Sequence, residues 1–278
     1  MSRVQRSHPV RVFLACAAVA ASMGGAVLVS GLAATSASAQ SETPQHYLCY
    51  KASAKKGFVV PPGITLINAF TSAKGFTPTV GAANVHCNPA VKVVPTGEYQ
   101  ITNSTWHFLG FKITASQPSV TVPVNNQFGS AQLVTSSPNE LLVPSWKSLT
   151  GPPDESSNTP PGEDHYTCYP VTYATGSPKF EPPASIRVQD EFSPGELTSV
   201  TVTKLVNLCA PTEKILPSGA KSTVSNPSLF YTCFTVSKTP IITPVYDENQ
   251  FGTGTVTVKS TDWLCLPSTI GNSANARR

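Results

Sequence analysis

The chain has 278 residues, of which 12% are charged, and its formal net charge at pH 7 is +4. Three arginines lie in an N-terminal leader, and the rest of the chain carries 16 basic side chains against 15 acidic ones. Because there is no basic surplus, electrostatic attraction to nucleic acid or to an anionic membrane is excluded as a basis for function.

The first predicted element is a secretory signal peptide over residues 1–39. Its arginines precede an uncharged run rich in Ala, Val and Leu over residues 12–34, and Ala37-Ser38-Ala39 fits a signal-peptidase site. The run is also long enough for an uncleaved membrane anchor. The small-residue ending and the lack of positive charge after it favour cleavage between Ala39 and Gln40. We therefore expect an exported protein with no membrane contact after cleavage.

Four repeat units follow, and each contains the same three blocks in the same order. The units open with HYLCYK at His46, HFLGFK at His107, HYTCYP at His165 and FYTCFT at Phe230. Each continues to an Asx-containing turn that ends in a phenylalanine, at Phe70, Phe128, Phe192 and Phe251. Each closes with a related segment, around Cys87, Leu142, Cys209 and Cys265.

The spacing between these blocks predicts two domains. From the opening Cys position to the Phe there are 21, 18, 24 and 18 residues, so long and short units alternate. A duplicated two-unit domain explains this pattern, with domain one over residues 40–150 and domain two over residues 165–278. Between them, Gly151–Asp164 (GPPDESSNTPPGED) has four prolines, four acids and no large apolar residue. We expect this segment to be an extended, mobile linker.

The composition and the local patterns predict an all-β fold. Pro, Gly, Ser, Thr and Val are abundant, and SVTVPV (119–124) and TVTVK (255–259) alternate apolar with polar residues. An Asx side chain before each turn phenylalanine can bond its own backbone. About three strands per unit predict an antiparallel sandwich or small barrel of about six strands in each domain.

The mature chain holds six cysteines, and the repeats predict how they pair. An even number in an exported protein indicates three disulfides. Unit two has lost the opening and the closing cysteine together, since Gly110 and Leu142 stand there. Bridges between units would leave partners unpaired after that loss, whereas bridges within units would not. The predicted pairs are Cys49 with Cys87, Cys168 with Cys209, and Cys233 with Cys265.

A zinc site is the alternative to a disulfide for the first of these pairs. His46, Cys49, His86 and Cys87 supply two imidazoles and two thiols. The repeats argue against it, because unit two keeps its histidine without cysteines and unit four keeps both cysteines without the histidine. We predict no metal site and interpret the opening histidine as an aromatic that packs at a strand start.

No catalytic motif or cofactor-binding motif is present, so we predict a protein that is not an enzyme. The adjacent acids Asp190-Glu191 and Asp247-Glu248 offer a carboxylate pair or calcium ligands. Equivalent turns carry Asn68 and Asn126, which cannot perform acid–base chemistry, so we prefer a turn-forming role. A triad assembled in space from distant residues stays open.

Exposed aromatic residues are the candidate binding groups. Trp146 and Trp106 lie outside the repeated apolar pattern and can stack on sugar rings or anchor a protein partner. A core role is the alternative, which we favour for Trp106 and for Trp263. Candidate partners are a glycan, a cell-wall polymer or a surface protein.

The unit H-[YF]-x-C-Y, then an Asx-x-Phe turn, then L-C-x-P resembles a repeat domain found in exported bacterial proteins. This resemblance covers nearly the whole mature chain, and that family has no established activity, so it implies no catalytic residues. Unit two departs from it by lacking cysteines, and unit one by having INAF in place of NQFG. We expect a secreted or cell-surface binding or adhesive module. A secreted hydrolase with a site between repeat units and a purely structural envelope component are the alternatives.

Overall fold

The computed structural model describes residues 44–271, so the predicted signal peptide and its cleavage site lie outside the described residues. The all-β prediction is confirmed, because this range holds sixteen antiparallel strands and no helix. In chain order they are β1 (His46–Lys56), β2 (Thr65–Ile67), β3 (Thr79–Val94), β4 (Gly97–Tyr99), β5 (His107–Thr114), β6 (Thr121–Asn126), β7 (Gly129–Thr135), β8 (Glu140–Ser148), β9 (His165–Tyr173), β10 (Ile186–Gln189), β11 (Thr198–Val200), β12 (Val202–Ile215), β13 (Lys221–Ser222), β14 (Phe230–Val236), β15 (Pro240–Asn249) and β16 (Gly252–Ile270).

Eight of these strands close into a ring. The hydrogen-bonded order is β1, β3, β5, β8, β9, β12, β14 and β16, and β16 pairs back with β1. Each repeat unit supplies two neighbouring strands, the first from its opening segment and the second from its closing segment. A closed ring leaves no unpaired strand edge, which explains why four copies of a two-stranded unit form a complete sheet.

This arrangement differs from the two tandem domains that the spacing predicts. β8 and β9, which flank the proline-rich segment, pair directly, and the first strand pairs with the last. The described residues 44–271 lie in one compact unit. The alternation of long and short units therefore reflects the lengths of the connections rather than a domain boundary.

The proline-rich segment 151–164 is held in place by several side chains. The indole Nε1 of Trp106 donates to the carbonyl of Pro161 at 3.2 Å, and that of Trp146 donates to the carbonyl of Ser157 at 2.6 Å. At the end of the segment, the carboxylate of Asp164 accepts hydrogen bonds from two backbone amides of the loop before β14. The segment is thus anchored, in contrast to the mobile linker expected from its composition.

The interior of the ring is filled by one layer of aromatic rings and one layer of sulfur. The second residue of each unit points inward, and the four rings contact one another in a closed cycle, with neighbouring centroids 4.8–5.6 Å apart: Tyr47, Phe108, Tyr166 and Tyr231. Next to them lie the disulfides, which join directly opposite residues of paired strands and are the same three pairs that the repeats predict: Cys49–Cys87, Cys168–Cys209 and Cys233–Cys265. In unit two, Gly110 lies opposite Leu142 at the same place.

The second core lies outside the ring, beneath the Asx turns. In all four turns the Asx Oδ1 accepts a hydrogen bond from the amide of the phenylalanine, at 2.7–3.0 Å. Each turn phenylalanine then packs against the aromatic residue that follows the opening Cys position two units away, at 5.0–5.4 Å: Phe70 on Tyr169, Phe128 on Phe234, Phe192 on Tyr50, and Phe251 on Phe111. The four turns therefore tie non-adjacent units together and place their polar residues over the ring.

Candidate functional site

Three of the four units carry a buried histidine and a buried lysine, together with an amide or acid that is at least partly exposed, on the outer face of the ring. The histidine opens the unit, the lysine stands five residues after the closing Cys position, and the third residue precedes a turn phenylalanine from the following unit. The sets are His46, Lys92 and Gln127; His107, Lys147 and Glu191; and His165, Lys214 and Gln250. At the fourth place the equivalent residues are Phe230, Ile270 and Ala69. The polar members are present together or absent together.

The residues of each set lie close together, and burial keeps the imidazole of each set neutral. His46 Nε2 lies 3.0 Å from Gln127 Oε1, and Lys214 Nζ lies 3.2 Å from His165 Nε2. Burial lowers the pKa of His46 to about 3, with the Lys92 ammonium contributing in the same direction, so this ring is neutral. Burial likewise lowers the pKa of Lys214 to about 7.

Each lysine also lies over the ring of the adjacent turn phenylalanine, with Nζ 4.6–5.3 Å from the centroid. A desolvated ammonium over an aromatic face is a favourable contact. We interpret the sets at units one and three as packing elements that dock the turns.

The set on unit two differs, because five residues that depart from the repeat pattern lie in it or around it. His86, Asn88 and Asp247 occupy positions that are apolar in the other three units. The equivalents are Leu141, Leu208 and Leu264 for His86; Val143, Ala210 and Leu266 for Asn88; and Leu66, Val124 and Val188 for Asp247. Asp190 and Glu191 carry carboxylates where the other turns have asparagine, and glutamine or alanine. Buried polar groups cost folding free energy, so this concentration at one place indicates a role beyond packing.

Asn88 lies at the centre of this cluster. Its Oδ1 accepts from Lys147 Nζ at 2.9 Å and also lies 3.0 Å from His86 Nε2 and 3.2 Å from His107 Nδ1. Its Nδ2 donates to Asp190 Oδ2 at 2.9 Å. The hydroxyl of Tyr50 donates to the same carboxylate oxygen at 2.7 Å. One amide thus links both histidines, the lysine and an acid.

Behind Asn88, His86 contacts Asp247. His86 Nδ1 lies 3.3 Å from Asp247 Oδ1, and both side chains are fully buried. This contact is not a hydrogen bond, since neither His86 Nδ1 nor either oxygen of Asp247 has a hydrogen-bond partner among the described residues. The carboxylate therefore depends on His86 and on the nearby charge of Lys147 for its stabilisation.

In front of the cluster lies a cavity of about 400 Å³. Its polar wall includes His107, Asp190 and Glu191, and its apolar wall is made by Pro89, Val91, Ile101 and Pro194. The Glu191 side chain is 44% exposed, and its Oε2 contacts Lys147 Nζ at 2.5 Å and lies 3.9 Å from His107 Nε2. We call this cavity the acidic cleft.

The charge distribution of the acidic cleft follows from burial. Burial raises the pKa of Asp190, although hydrogen bonds from Tyr50 and Asn88 oppose this. Burial lowers the pKa of Lys147, while Glu191 opposes that shift, and burial lowers the pKa of His107 well below its usual value. The acidic cleft thus offers acceptor oxygens and a neutral imidazole, and the amino group of Lys147 is buried against Glu191. Its walls suit a ligand that donates hydrogen bonds.

The sequence-predicted site residues lie in three places. Trp106 and Trp146 are half-buried and donate to the proline-rich segment, so they do not form an exposed aromatic patch. Trp263 packs against the interior cluster of the ring. The four turn phenylalanines, predicted as repeat landmarks, belong to the outer core.

The proposed zinc ligands have other partners. Both cysteines form a disulfide, and His46 and His86 lie at separate sites, beside Gln127 and Asp247 respectively. Among residues 44–271, no group of three or more His, Cys, Asp or Glu is arranged to hold a metal ion.

The acids Asp190 and Glu191 do form the turn that sequence reasoning favoured, because Asp190 Oδ1 accepts from the Phe192 amide at 3.0 Å. They also face the acidic cleft, which that interpretation missed. Asn88 and Lys147 were missed altogether, and His86 was considered only as a candidate zinc ligand. Aligning the four units and noting where one of them turns polar would have found His86 and Asn88.

Comparison of the chain with protein-family models, with curated proteins and with solved structures gave no match. Within residues 44–271, no helix is long and apolar enough to cross a membrane.

Proposed function

We propose that this chain is an exported binding protein whose ligand occupies the acidic cleft beside His107, Asp190 and Glu191. The observation that carries the proposal is the convergence of five polar departures from the repeat on the one set that borders this cavity. Sets at units one and three share the packing role but lack these departures. A cavity with an apolar wall and a few convergent polar groups is the usual form of a small-molecule site.

The cleft chemistry favours a ligand with an amino group and an apolar part. Asp190 and Glu191 are the acidic residues that line the cavity, and the side chain of Lys147 is completely buried. A cation entering the cleft would compete with Lys147 for Glu191 and would gain hydrogen bonds to acceptor oxygens. The proline, valine and isoleucine side chains of the opposite wall would cover the apolar part.

Export and the repeat origin of the chain belong to the same proposal. Three buried disulfides support an oxidising, extracellular location, as does the predicted signal peptide. The equivalence of the four two-stranded units supports descent from one repeated unit, in keeping with the resemblance to an exported bacterial repeat domain.

The test compares matched ligands by protein-observed NMR on the mature protein. Phenethylamine is paired with 2-phenylethanol, and glucosamine with N-acetylglucosamine, so each pair differs in the presence of a free amine. We expect the amine of at least one pair to bind at least tenfold more tightly than its neutral partner. Equal binding within both pairs would contradict the ligand class.

Variants locate the binding. Glu191→Gln is expected to abolish the preference for the amine, since it removes a carboxylate from the cleft while retaining its shape. Glu213→Gln is the matched control, because Glu213 forms a surface ion pair with Lys221 away from the cleft. A preference that survives Glu191→Gln would place the amine elsewhere.

Acid–base hydrolysis is the second candidate function, and one observation favours it. A neutral imidazole, that of His107, lies beside the Glu191 carboxylate at the wall of a cavity. The same NMR samples decide between the two functions when ester and amide derivatives of the bound amine are added. Product signals that require His107 would identify a hydrolase, whereas unchanged ligand would support binding alone.

A further inference from the structure

A second cavity, also of about 400 Å³, lies on the other side of the ring from the strands that hold Asn88, and its floor is apolar. It lies between β9, β12 and residues 179–182. Val171, Phe180, Leu205 and Phe234 line it, and each of these side chains is less than a tenth exposed. A cavity with such a floor can cover the apolar part of a small ligand.

The wall of this cavity comes from the longest connection among the four units. In unit three the turn phenylalanine stands 24 residues after the opening Cys position, whereas in units two and four it stands 18 residues after that position. The ring of Phe180, within this connection, packs edge-on against Phe234 at 5.8 Å and also contacts Tyr173 at 6.0 Å. The amide of Glu181 donates to the carbonyl of Phe128 at 2.9 Å. The wall is therefore fixed by packing and by a hydrogen bond.

Three donors border this apolar floor. Lys179 and Lys204 line the cavity and are exposed, and neither has a carboxylate within ion-pair distance among the described residues. The hydroxyl of Tyr173 accepts a hydrogen bond from the Phe180 amide at 3.3 Å, and its own proton has no acceptor in the part of the chain described. The residues lining the cavity include no acid.

We propose that this cavity binds an apolar molecule that ends in a carboxylate, such as a medium-chain fatty acid. The chain lies on Phe180, Phe234 and Leu205, and the carboxylate accepts from the two ammonium groups and the Tyr173 hydroxyl. Charge complementarity selects the anion, because two uncompensated cations face an opening without a carboxylate. The acidic cleft has the opposite character, so the two cavities take different ligands.

The experiment measures binding of octanoate and 1-octanol to the mature protein by calorimetry, with NMR to map the site. We expect octanoate to bind at least tenfold more tightly than 1-octanol, with shifts at the residues that line the cavity. The double variant Lys179→Gln with Lys204→Gln should bring the two affinities within threefold of each other. Lys74→Gln, which changes an exposed lysine outside the cavity, should leave the preference intact.

A second variant tests the apolar floor without disturbing the core. Thr172 is exposed on β9 and lines the cavity, so Thr172→Trp should fill it and reduce the affinity for both ligands more than tenfold. Aromatic residues are well tolerated on strands. The proposal is overturned if 1-octanol binds as tightly as octanoate, if the preference persists in the double lysine variant, or if Thr172→Trp leaves both affinities unchanged.

Discussion

The imidazole of His86 lies 3.3 Å from the carboxylate of Asp247, and both side chains are fully buried. They come from different repeat units, unit one and unit four, and each stands where the other three units have an apolar side chain. Two independent departures from an apolar pattern that meet in space are best explained as a pair. Through Asn88 this pair is linked to Lys147 and to Asp190 at the acidic cleft.

Restoring the apolar residues of the repeat tests that relationship. We expect His86→Leu alone to lower the free energy of unfolding by about 3 kcal/mol, because it leaves Asp247 buried without its partner. Asp247→Val alone should cost less, since His86 retains Asn88. The double variant should be at least as stable as the His86→Leu protein, which urea denaturation at pH 7 can measure. Additive losses from the two single changes would show that the residues are not coupled.

We expect Glu140 to make the free energy of unfolding fall as the pH rises. It is 2% exposed inside the ring, and burial raises the pKa of its carboxyl from 4.5 to about 8, with a hydrogen bond from Asn84 opposing. Between pH 4.5 and pH 8 the unfolded chain has released this proton while the folded chain retains it. The folded state therefore loses stability through this window, at about 1.4 kcal/mol per pH unit.

The variant Glu140→Gln removes this dependence and approximates the protonated shape. The difference in free energy of unfolding between this variant and the wild type should shift in favour of the variant by about 3 kcal/mol from pH 5 to pH 8. Urea denaturation at each pH measures this difference. Glu213→Gln is the control, and its difference from the wild type should stay nearly constant over this range. A constant difference for Glu140→Gln as well would show that Glu140 ionises normally in the folded state.

Some features of the fold were predictable because they are local. The joint absence of cysteine at Gly110 and Leu142 indicated within-unit pairing, and these two residues do face each other across β5 and β8. The Asx turns followed from the chemistry of one side chain and its own backbone. The closed ring was not predictable in this way, because alternation shows which face of a strand is buried but not which strand lies beside it.

The acidic cleft could likewise be predicted only in part from the sequence. Asp190 and Glu191 were recognised as an acidic pair, but their turn role explained them fully at the level of sequence. Only the ring brings Glu191 against His107, which lies 84 residues earlier in the chain. The histidine was likewise explained as a packing aromatic, which is its role at units one and three.

The polar set on unit three can be replaced by the apolar residues of the fourth place. This replacement tests whether the polar set serves packing alone. The triple variant His165→Phe, Lys214→Ile and Gln250→Ala reproduces Phe230, Ile270 and Ala69. We expect its free energy of unfolding to be within about 1 kcal/mol of the wild type or higher, because well-packed apolar residues can replace a buried polar set.

The single change His165→Phe should be worse than the triple variant, by about 1–3 kcal/mol, since it leaves the Lys214 ammonium buried without a nitrogen partner. Thermal and urea denaturation of the three single variants and the triple variant measure the coupling. If the triple variant lost as much free energy of unfolding as the three single variants together, the three residues would not be energetically coupled.

Gly110 is constrained by its neighbours and not only by the loss of a cysteine. A Cβ at this position would lie 2.7 Å from Glu140 Oε1 and 2.9 Å from Val85 Cβ, which is closer than real contacts allow. We expect Gly110→Ala to lower the free energy of unfolding by about 1–3 kcal/mol through overpacking.

Gly97→Ala is the control, because nothing lies within 4 Å of its added Cβ. That change should be neutral or slightly stabilising through the unfolded state. Urea denaturation of both variants measures the contrast, and equal effects would mean that the space around Gly110 adapts to a methyl group.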